Sequence, residues 1–226
     1  MKPKILFTDV DFTVTDAEGR IYLPAVEIIR KLSANGIRTV LVSGMPCPFL
    51  KSLSHYIGVE ETFVSEQSAV IVLDGKLHLL GSRKRAEQGF LYLKSKFNDS
   101  VRENVWDMFC LANRIIDRII PSETLQESLD NSEFNDLHIQ DSGVALHLLE
   151  KKLNKGFGAD KVIKHYSFDK SECIAVGDGY ADLTMLDSVA YFVAVGNSPK
   201  PVKDLAAYTT KEAFGAGFVE FAKTLL

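Results

Sequence analysis

The sequence predicts an α/β fold, a parallel sheet with helices on its faces, interrupted by a smaller α+β insertion. Three observations carry that expectation. Short apolar runs alternate with amphipathic stretches of helix length over residues 5–64; the alternation breaks down between about 82 and 151; and it returns from residue 155 onward. The chain is therefore expected to hold a discontinuous main domain, 1–81 with 152–226, and an inserted domain, 82–151.

Residues 5–8 (Ile-Leu-Phe-Thr) read as a buried strand. Pro24 to Asn35 follow as a helix, with Ala25, Ile28, Ile29 and Leu32 on one face and Gly36 as its stop. A second strand is expected at 37–42, a helix at 48–57 ending on Gly58, and a short strand at 62–64. Val70–Leu73 and Lys76–Leu79, joined by Asp74-Gly75, form a hairpin, because Asp-Gly supplies the positive φ angles of a tight turn. The insertion reads as a charged helix (83–97), an ambiguous apolar stretch (105–120), an acidic helix (122–133) and a second hairpin (138–149) turning at Asp141-Ser142-Gly143. Beyond it come a helix at 157–166, a strand at 173–176, a helix at 182–187, a strand at 190–195 and a helix near 216–225.

Composition narrows the function. With 26 basic and 30 acidic residues among 226, the chain offers no general attraction to nucleic acid or to anionic lipid. Cys47, Cys110 and Cys173 are odd in number and have no C-x-x-C spacing, so neither a disulfide framework nor a zinc knuckle is expected, and a reduced cytoplasm is the simplest compartment. The basic start, Met1-Lys2-Pro3-Lys4, leads into an apolar run that Asp9 and Asp11 break too soon for a signal peptide. No apolar run approaches the ~18 residues of a membrane span.

The chemistry concentrates at predicted strand ends. Asp9 and Asp11 lie two apart where the first strand ends, and two like charges in a half-buried place call for a cation, a shared proton or a catalytic task. A second acidic pair, Asp178 and Asp182, follows the strand Ile174-Ala175-Val176. Ligands collect at the carboxyl ends of strands in a doubly wound sheet, so the four carboxylates are expected to share one rim. With no His or Cys cluster there, they suit a hard oxygen-seeking ion such as Mg²⁺. Ser43-Gly44, at the end of the second strand, offers a hydroxyl and backbone N–H groups to an anion, and Lys155 opens a helix. A metal, a lysine, a hydroxyl and a carboxylate nucleophile are the parts of a phosphoryl-transfer site, with the second carboxylate available as acid and base.

These elements, in this order, resemble the haloacid dehalogenase superfamily of aspartate-nucleophile phosphatases. Asp9-Val10-Asp11-Phe12-Thr13 matches its D-x-D-x-T, Ser43 and Lys155 stand at its Ser/Thr and lysine motifs, and Gly177-Asp178-Gly179 with Asp182 matches its G-D-G-x-x-D. The resemblance spans nearly the whole chain and is strongest to the capped sugar-phosphate phosphatase branch, with a short cap most similar to that of archaeal-type phosphoglycolate phosphatases. Three departures stand out: Phe12 where Gly is common, Ala181 where Asn is usual, and Glu66-Gln67-Ser68-Ala69 in place of Glu-Asn-Gly-Ala.

The resemblance implies a Rossmann-like core under an α+β cap and a Mg²⁺-dependent phosphomonoesterase acting on a small phosphorylated metabolite, phosphoglycolate or a sugar phosphate. It implies that Asp9 is the nucleophile, that Asp11 is the acid and base, and that Ser43, Gly44 and Lys155 hold the phosphate. The ion would be held by the carboxylate of Asp9, the backbone carbonyl of Asp11, and Asp178. Thr13 and Asp182 are expected to support the site from behind, Asp182 by orienting Lys155 or metal-bound water. Glu66, at the end of the third strand, either holds the rim loops together or is a solvated loop acid.

Among the cap arginines, Arg114 is the expected substrate contact, because a guanidinium fork suits a second anionic group. Trp106 and Phe109 are expected in the cap core, Cys47 as an apolar filler, and all five histidines in structural or surface roles. The alternatives are a phosphomutase using the same intermediate and a non-catalytic binding module that retained the fold. Oligomeric state is not readable from the sequence.

Overall fold

The computed structural model describes residues 3–59 and 61–226; Met1 and Lys2, the start of the basic N-terminal run, lie outside the described residues, as does Glu60. Strand β1 (Ile5–Thr8) is fully buried and leads through a loop to helix α1 (Leu23–Ala34), which begins with Pro24 in its first turn and stops before Gly36 at φ 78°. Then come β2 (Arg38–Val42), α2 (Cys47–Ile57) with Gly58 as its left-handed cap, and β3 (Phe63–Ser65). The hairpin β4 (Val70–Leu73) and β5 (Lys76–Leu79) turns on Asp74 and Gly75, both at positive φ.

Next are α3 (Arg83–Phe97), β6 (Arg114–Ile116), α4 (Ser122–Asp130), β7 (Leu137–Asp141) and β8 (Leu146–Glu150). The chain closes with α5 (Lys155–Tyr166), β9 (Cys173–Gly177), β10 (Tyr191–Ala194), α6 (Lys200–Leu205), β11 (Tyr208–Thr209) and α7 (Phe214–Ala222).

Eight strands form one sheet in the order β11-β10-β9-β1-β2-β3-β4-β5. All pairs from β11 to β3 are parallel, and the β4–β5 hairpin adds an antiparallel edge. Because strand side chains alternate, Leu6, Leu41 and Ile174 pack with α1, α2 and α7 on one face, while Ile5, Phe7, Val40 and Ala175 pack with α5 and α6 on the other. This is the expected α/β architecture with helices on both faces. A second, antiparallel sheet, β6-β8-β7, is covered by α3 and α4 and has its own cluster around Phe90, Leu93, Leu125, Leu129 and Leu148.

Several elements differ from expectation. The helix expected at 182–187 is a 3₁₀ turn over Tyr180–Met185, tightened because the Asp182 carboxylate reaches back to the N–H groups of Asp178 and Gly179. The ambiguous stretch 105–120 divides into a 3₁₀ turn, Asp107–Phe109, and the strand β6. Helix α6 and the two-residue β11 were not anticipated; both are short, and α6 buries only Val202, too little for an apolar period.

Candidate active site

Strands β1 and β9 run parallel with Thr8 opposite Val176, so Asp9 and Asp178 leave the sheet at the same carboxyl edge. Beside them β2 delivers Ser43, whose N–H donates to the Val64 carbonyl at 2.9 Å. Asn154 caps α5 by accepting from the Phe157 N–H at 2.9 Å, which presents Lys155 to the same rim.

The lysine is the centre of the arrangement. Its Nζ lies 2.5 Å from Asp9 Oδ1 and 2.6 Å from Asp182 Oδ1, and all three side chains are buried. The second oxygen of Asp182 accepts from the Asp178 and Gly179 N–H groups at 3.1 and 2.9 Å, so this carboxylate is fully engaged. Thr13 Oγ1 stands 3.3 Å from Asp9 Oδ2 and 3.5 Å from Asp178 Oδ1. Asp11 is half-buried and lines the cavity with Asp9, Lys155 and Asp178.

Charge is out of balance here. Burial, and then the neighbouring Asp182, push the Asp178 carboxyl up to about 6. Burial also raises Asp9 well above the ordinary carboxylate range, against the pull of Lys155 and with Asp182, Asp178 and Asp11 adding to the shift. Asp11 is raised by burial too, with Lys155 opposing. Burial alone would lower the Lys155 ammonium, but Asp182 and Asp9 together hold it above its usual value.

One carboxylate oxygen from each of Asp9, Asp178 and Asp182 falls within 4.8 Å of the others. The donors are all oxygen, Lys155 is the one ammonium set against them and compensates only part of their charge, and Asp182 is already committed to that lysine and to two N–H groups. Asp178, and Asp9 through the oxygen that Lys155 does not hold, are thus the carboxylates placed to take a hard divalent cation, and the donor set fits one.

Of the stretch expected to cradle an anion, Gly44 lines the cavity, whereas Ser43 is fully buried and does not. Ser43 Oγ accepts from the Met45 N–H at 3.0 Å. A Cβ on Gly44 would lie 2.8 Å from His147 Cε1 and Nε2 and 3.0 Å from Gln67 Nε2, so a side chain here would have to displace the His147 ring. The cavity, about 810 Å³, is roofed by the β7–β8 hairpin, including Ser142, Ala145 and His147, and walled by Phe12, Phe49 and Trp106.

Phe12 adopts φ 60° and is held by its N–H bond to Thr15 Oγ1 at 2.7 Å and by its ring against Phe214. Ala181 is buried and lines the cavity without a polar group of its own.

Arg114 is placed elsewhere than the sequence suggested. It is 4 % exposed and does not line the cavity; instead it is ion-paired with Asp107, Glu103 and Glu87 and lies over the Phe90 ring. Three carboxylates from separate segments neutralise it, so it braces the fold of this region. Arg118 lines the cavity in its stead, bound to Asp141 and to the Gly143 carbonyl.

Trp106 and Phe109 are not cap core either: both are partly exposed and pack edge-on against Phe49 of α2 at 5.3 and 4.8 Å. Cys47 is buried and its thiol is pushed up by burial, as befits a filler.

Of the two readings of Glu66, the buried one holds. Its carboxylate accepts from the Leu111 N–H at 2.9 and 3.1 Å, the Ala112 N–H at 2.9 Å and the Cys47 N–H at 3.4 Å, tying the loop before β6 to α2.

Three residues at the site escaped sequence reasoning: Asn197, Gln67 and His147. Asn197 Nδ2 donates to the Phe12 carbonyl at 3.1 Å and reaches Asp178 Oδ2 at 3.4 Å, while its Oδ1 accepts from the Phe214 N–H. A Gly-Asn-Ser-Pro run after an apolar strand, Gly196 to Pro199, was the available clue.

A family model for haloacid dehalogenase-like hydrolases matches residues 82–221. The chain is 31% identical over 225 residues to a phosphoglycolate phosphatase of Metallosphaera sedula, covering 99% of both chains. Among solved structures, a Thermoplasma acidophilum protein superposes with a TM-score of 0.89 at 20% identity, covering 100% of this chain and 99% of its own. A sugar phosphatase of haloacid dehalogenase subclass IIB does so with 0.79 at 19% identity, covering 99% and 100%.

Proposed function

The chain belongs to the haloacid dehalogenase-like hydrolase family, and from that premise we propose that it is a Mg²⁺-dependent phosphatase of small phosphorylated metabolites, built from a core (1–81 with 152–226) and a cap (82–151). The observation that carries this reading is the meeting of Asp9, Lys155, Asp178 and Asp182 at one sheet edge, beside a cavity of about 810 Å³. The separate hydrophobic cluster of the smaller sheet supports the division into core and cap.

Asp9 and Asp178 carboxylates, with the Asp11 backbone carbonyl, would hold the ion. When bound, Mg²⁺ supplies positive charge against the phosphoryl oxygens. Ser43, Gly44 and Lys155 hold the phosphate in line with Asp9. A carboxylate oxygen of Asp9 attacks phosphorus, the ester bond breaks, and the Asp11 carboxyl gives its proton to the leaving alcohol. Asp11, now ionised, takes a proton from water as that water attacks the aspartyl phosphate, which releases inorganic phosphate and restores Asp9. Burial raises the Asp11 carboxyl, which favours the protonated form that the first half requires. Asp182 and Thr13 keep Lys155 and Asp9 in place.

The relatives named phosphoglycolate phosphatase support a small phosphorylated metabolite as the substrate class. Three free, buried cysteines are consistent with a cytoplasmic setting, and among the described residues no helix is long and apolar enough to cross a membrane.

The test is hydrolysis of a chromogenic aryl phosphate with Mg²⁺. Asp9→Asn is expected to abolish turnover, and Asp11→Asn to bind phosphate but release alcohol and phosphate slowly. Full turnover by Asp9→Asn would remove the nucleophile from the scheme.

A further inference from the structure

Gln67 is the outstanding unused group at the cavity. It is 1 % exposed, it lines the cavity, and neither its Nε2 nor its Oε1 has a hydrogen-bond partner among the described residues. Leaving both edges of a buried carboxamide unmet costs free energy. The backbone that aims it is strained as well: Glu66, Gln67 and Ser68 stand at φ 50°, 55° and 78°, three successive non-glycine residues in the left-handed region. Such strain persists where the surrounding structure imposes it, commonly at a ligand site. The Gln67 amide also lies against the anion cradle, since its Nε2 is 3.0 Å from where a Gly44 Cβ would be and its N–H donates to the Ser43 carbonyl at 3.3 Å. A group meeting this amide therefore sits beside the Ser43-Gly44 stretch proposed to hold the phosphate.

The chemistry of that group follows from what the amide lacks. It offers one donor edge and one acceptor edge, and exchanging its oxygen and nitrogen leaves this unchanged. A hydroxyl satisfies both, accepting from N–H and donating to C=O. A carboxylate satisfies the donor and repels the acceptor.

Charge leads the same way. Among the described residues that line the cavity, the cations are Lys155, bound to Asp9 and Asp182, and Arg118, bound to Asp141 and the Gly143 carbonyl. His147, beside Gln67 over Gly44, has Nδ1 at 3.2 Å from Asn113 Nδ2 and Nε2 at 3.2 Å from Ser142 Oγ. The Ser142 hydroxyl is placed to donate to the Ala145 carbonyl, so His147 Nε2 is the donor of its pair, while Nδ1 accepts from the Asn113 amide N–H; a ring with one donor and one acceptor nitrogen is neutral. No spare positive charge awaits a second anion.

We propose that Gln67, flanked by His147, reads a hydroxyl on the leaving group, so that the preferred substrates are monoesters of hydroxylated alcohols rather than phosphorylated carboxylic acids. This rests on the phosphatase reading above and narrows it.

The experiment uses three monoesters that differ at one carbon: ethyl phosphate, 2-hydroxyethyl phosphate and phosphoglycolate, assayed for kcat/KM by the wild-type enzyme with Mg²⁺, with an aryl phosphate alongside. The hydroxyl compound is expected to exceed both others by about tenfold or more, the equivalent of about 1.4 kcal/mol. Phosphoglycolate equal to or better than 2-hydroxyethyl phosphate overturns the proposal. Gln67→Met, similar in size and without the amide, is expected to reduce the hydroxyl-over-ethyl ratio to within roughly threefold; a retained ratio in folded variant overturns the role of Gln67. The wild-type comparison stands even if that variant does not fold. No Mg²⁺-dependent turnover of any of the four esters defeats the phosphatase reading itself, whereas turnover without hydroxyl preference defeats this inference alone.

Discussion

Replacing His147 by glutamine is expected to change how stability responds to acid. The imidazole is buried, and that burial, with a further push from Lys155 and a partial offset from Asp141, lowers it from 6.5 to about 4. An unfolded chain takes up the proton near 6.5, while the folded one stays neutral until about 4. The folded pKa is depressed, so the stabilisation is complete above 6.5 and is lost as pH falls toward 4. Between about pH 7 and about pH 5 the two binding polynomials differ by a factor that corresponds to about 2 kcal/mol. Glutamine fills similar space, can bond Asn113 and Ser142, and does not titrate. Urea unfolding of both proteins at the two pH values, in metal-free buffer, gives four free energies. The gap between wild type and His147→Gln should move by about 2 kcal/mol in favour of the variant at the lower pH. A movement below about 0.5 kcal/mol would refute the buried neutral imidazole.

Two further substitutions probe how the site is held. Glu66→Gln leaves one acceptor oxygen for the N–H groups of Leu111, Ala112 and Cys47 and turns an NH₂ toward them; a loss of about 1–3 kcal/mol is expected, read as a lower thermal midpoint. An unchanged midpoint would show that this carboxylate is not the tie between its loops. Gly156→Ala places a Cβ 1.9 Å from the Thr184 carbonyl oxygen, and backbone must move to admit it, displacing the turn that carries Asp182; a loss of about 3 kcal/mol or an insoluble product is expected. Soluble expression with normal turnover would contradict the close packing of α5 on that turn.

Residues at strand ends were the legible part of the site. Apolar runs that stop abruptly at Asp9, Ser43 and Asp178 reveal both the strand and its carboxyl end, and Asn154 before Lys155 is a helix start that local chemistry explains. The residues that escaped notice are positioned by contacts distant in sequence. Gln67 is aimed by an unusual backbone, Asn197 bridges Phe12 and Phe214, and His147 belongs to a strand of the other sheet. Arg114 misled for a related reason: its three neutralising carboxylates come from α3 and from the loops before β6, and no local spacing announces them. The 3₁₀ turn after β9 resembles a helix in its apolar spacing, because spacing alone does not register a side chain that bonds back to the turn's own N–H groups.

The central position of β1 has a consequence for the order in which the molecule is made. Ile5 is made long before its neighbour across the sheet, Cys173, and Asp9 meets a lysine 146 positions later. Until β9 has left the ribosome, one long edge of β1 has no partner, and the chain can complete α1, β2 and the whole second sheet while its innermost strand is half-paired. Contacts so distant in sequence close slowly, so the polyanionic rim is assembled among the last parts of the fold. A nascent chain is thereby kept from displaying four clustered carboxylates, or any hydrolytic capacity, before the sheet that supports them is whole.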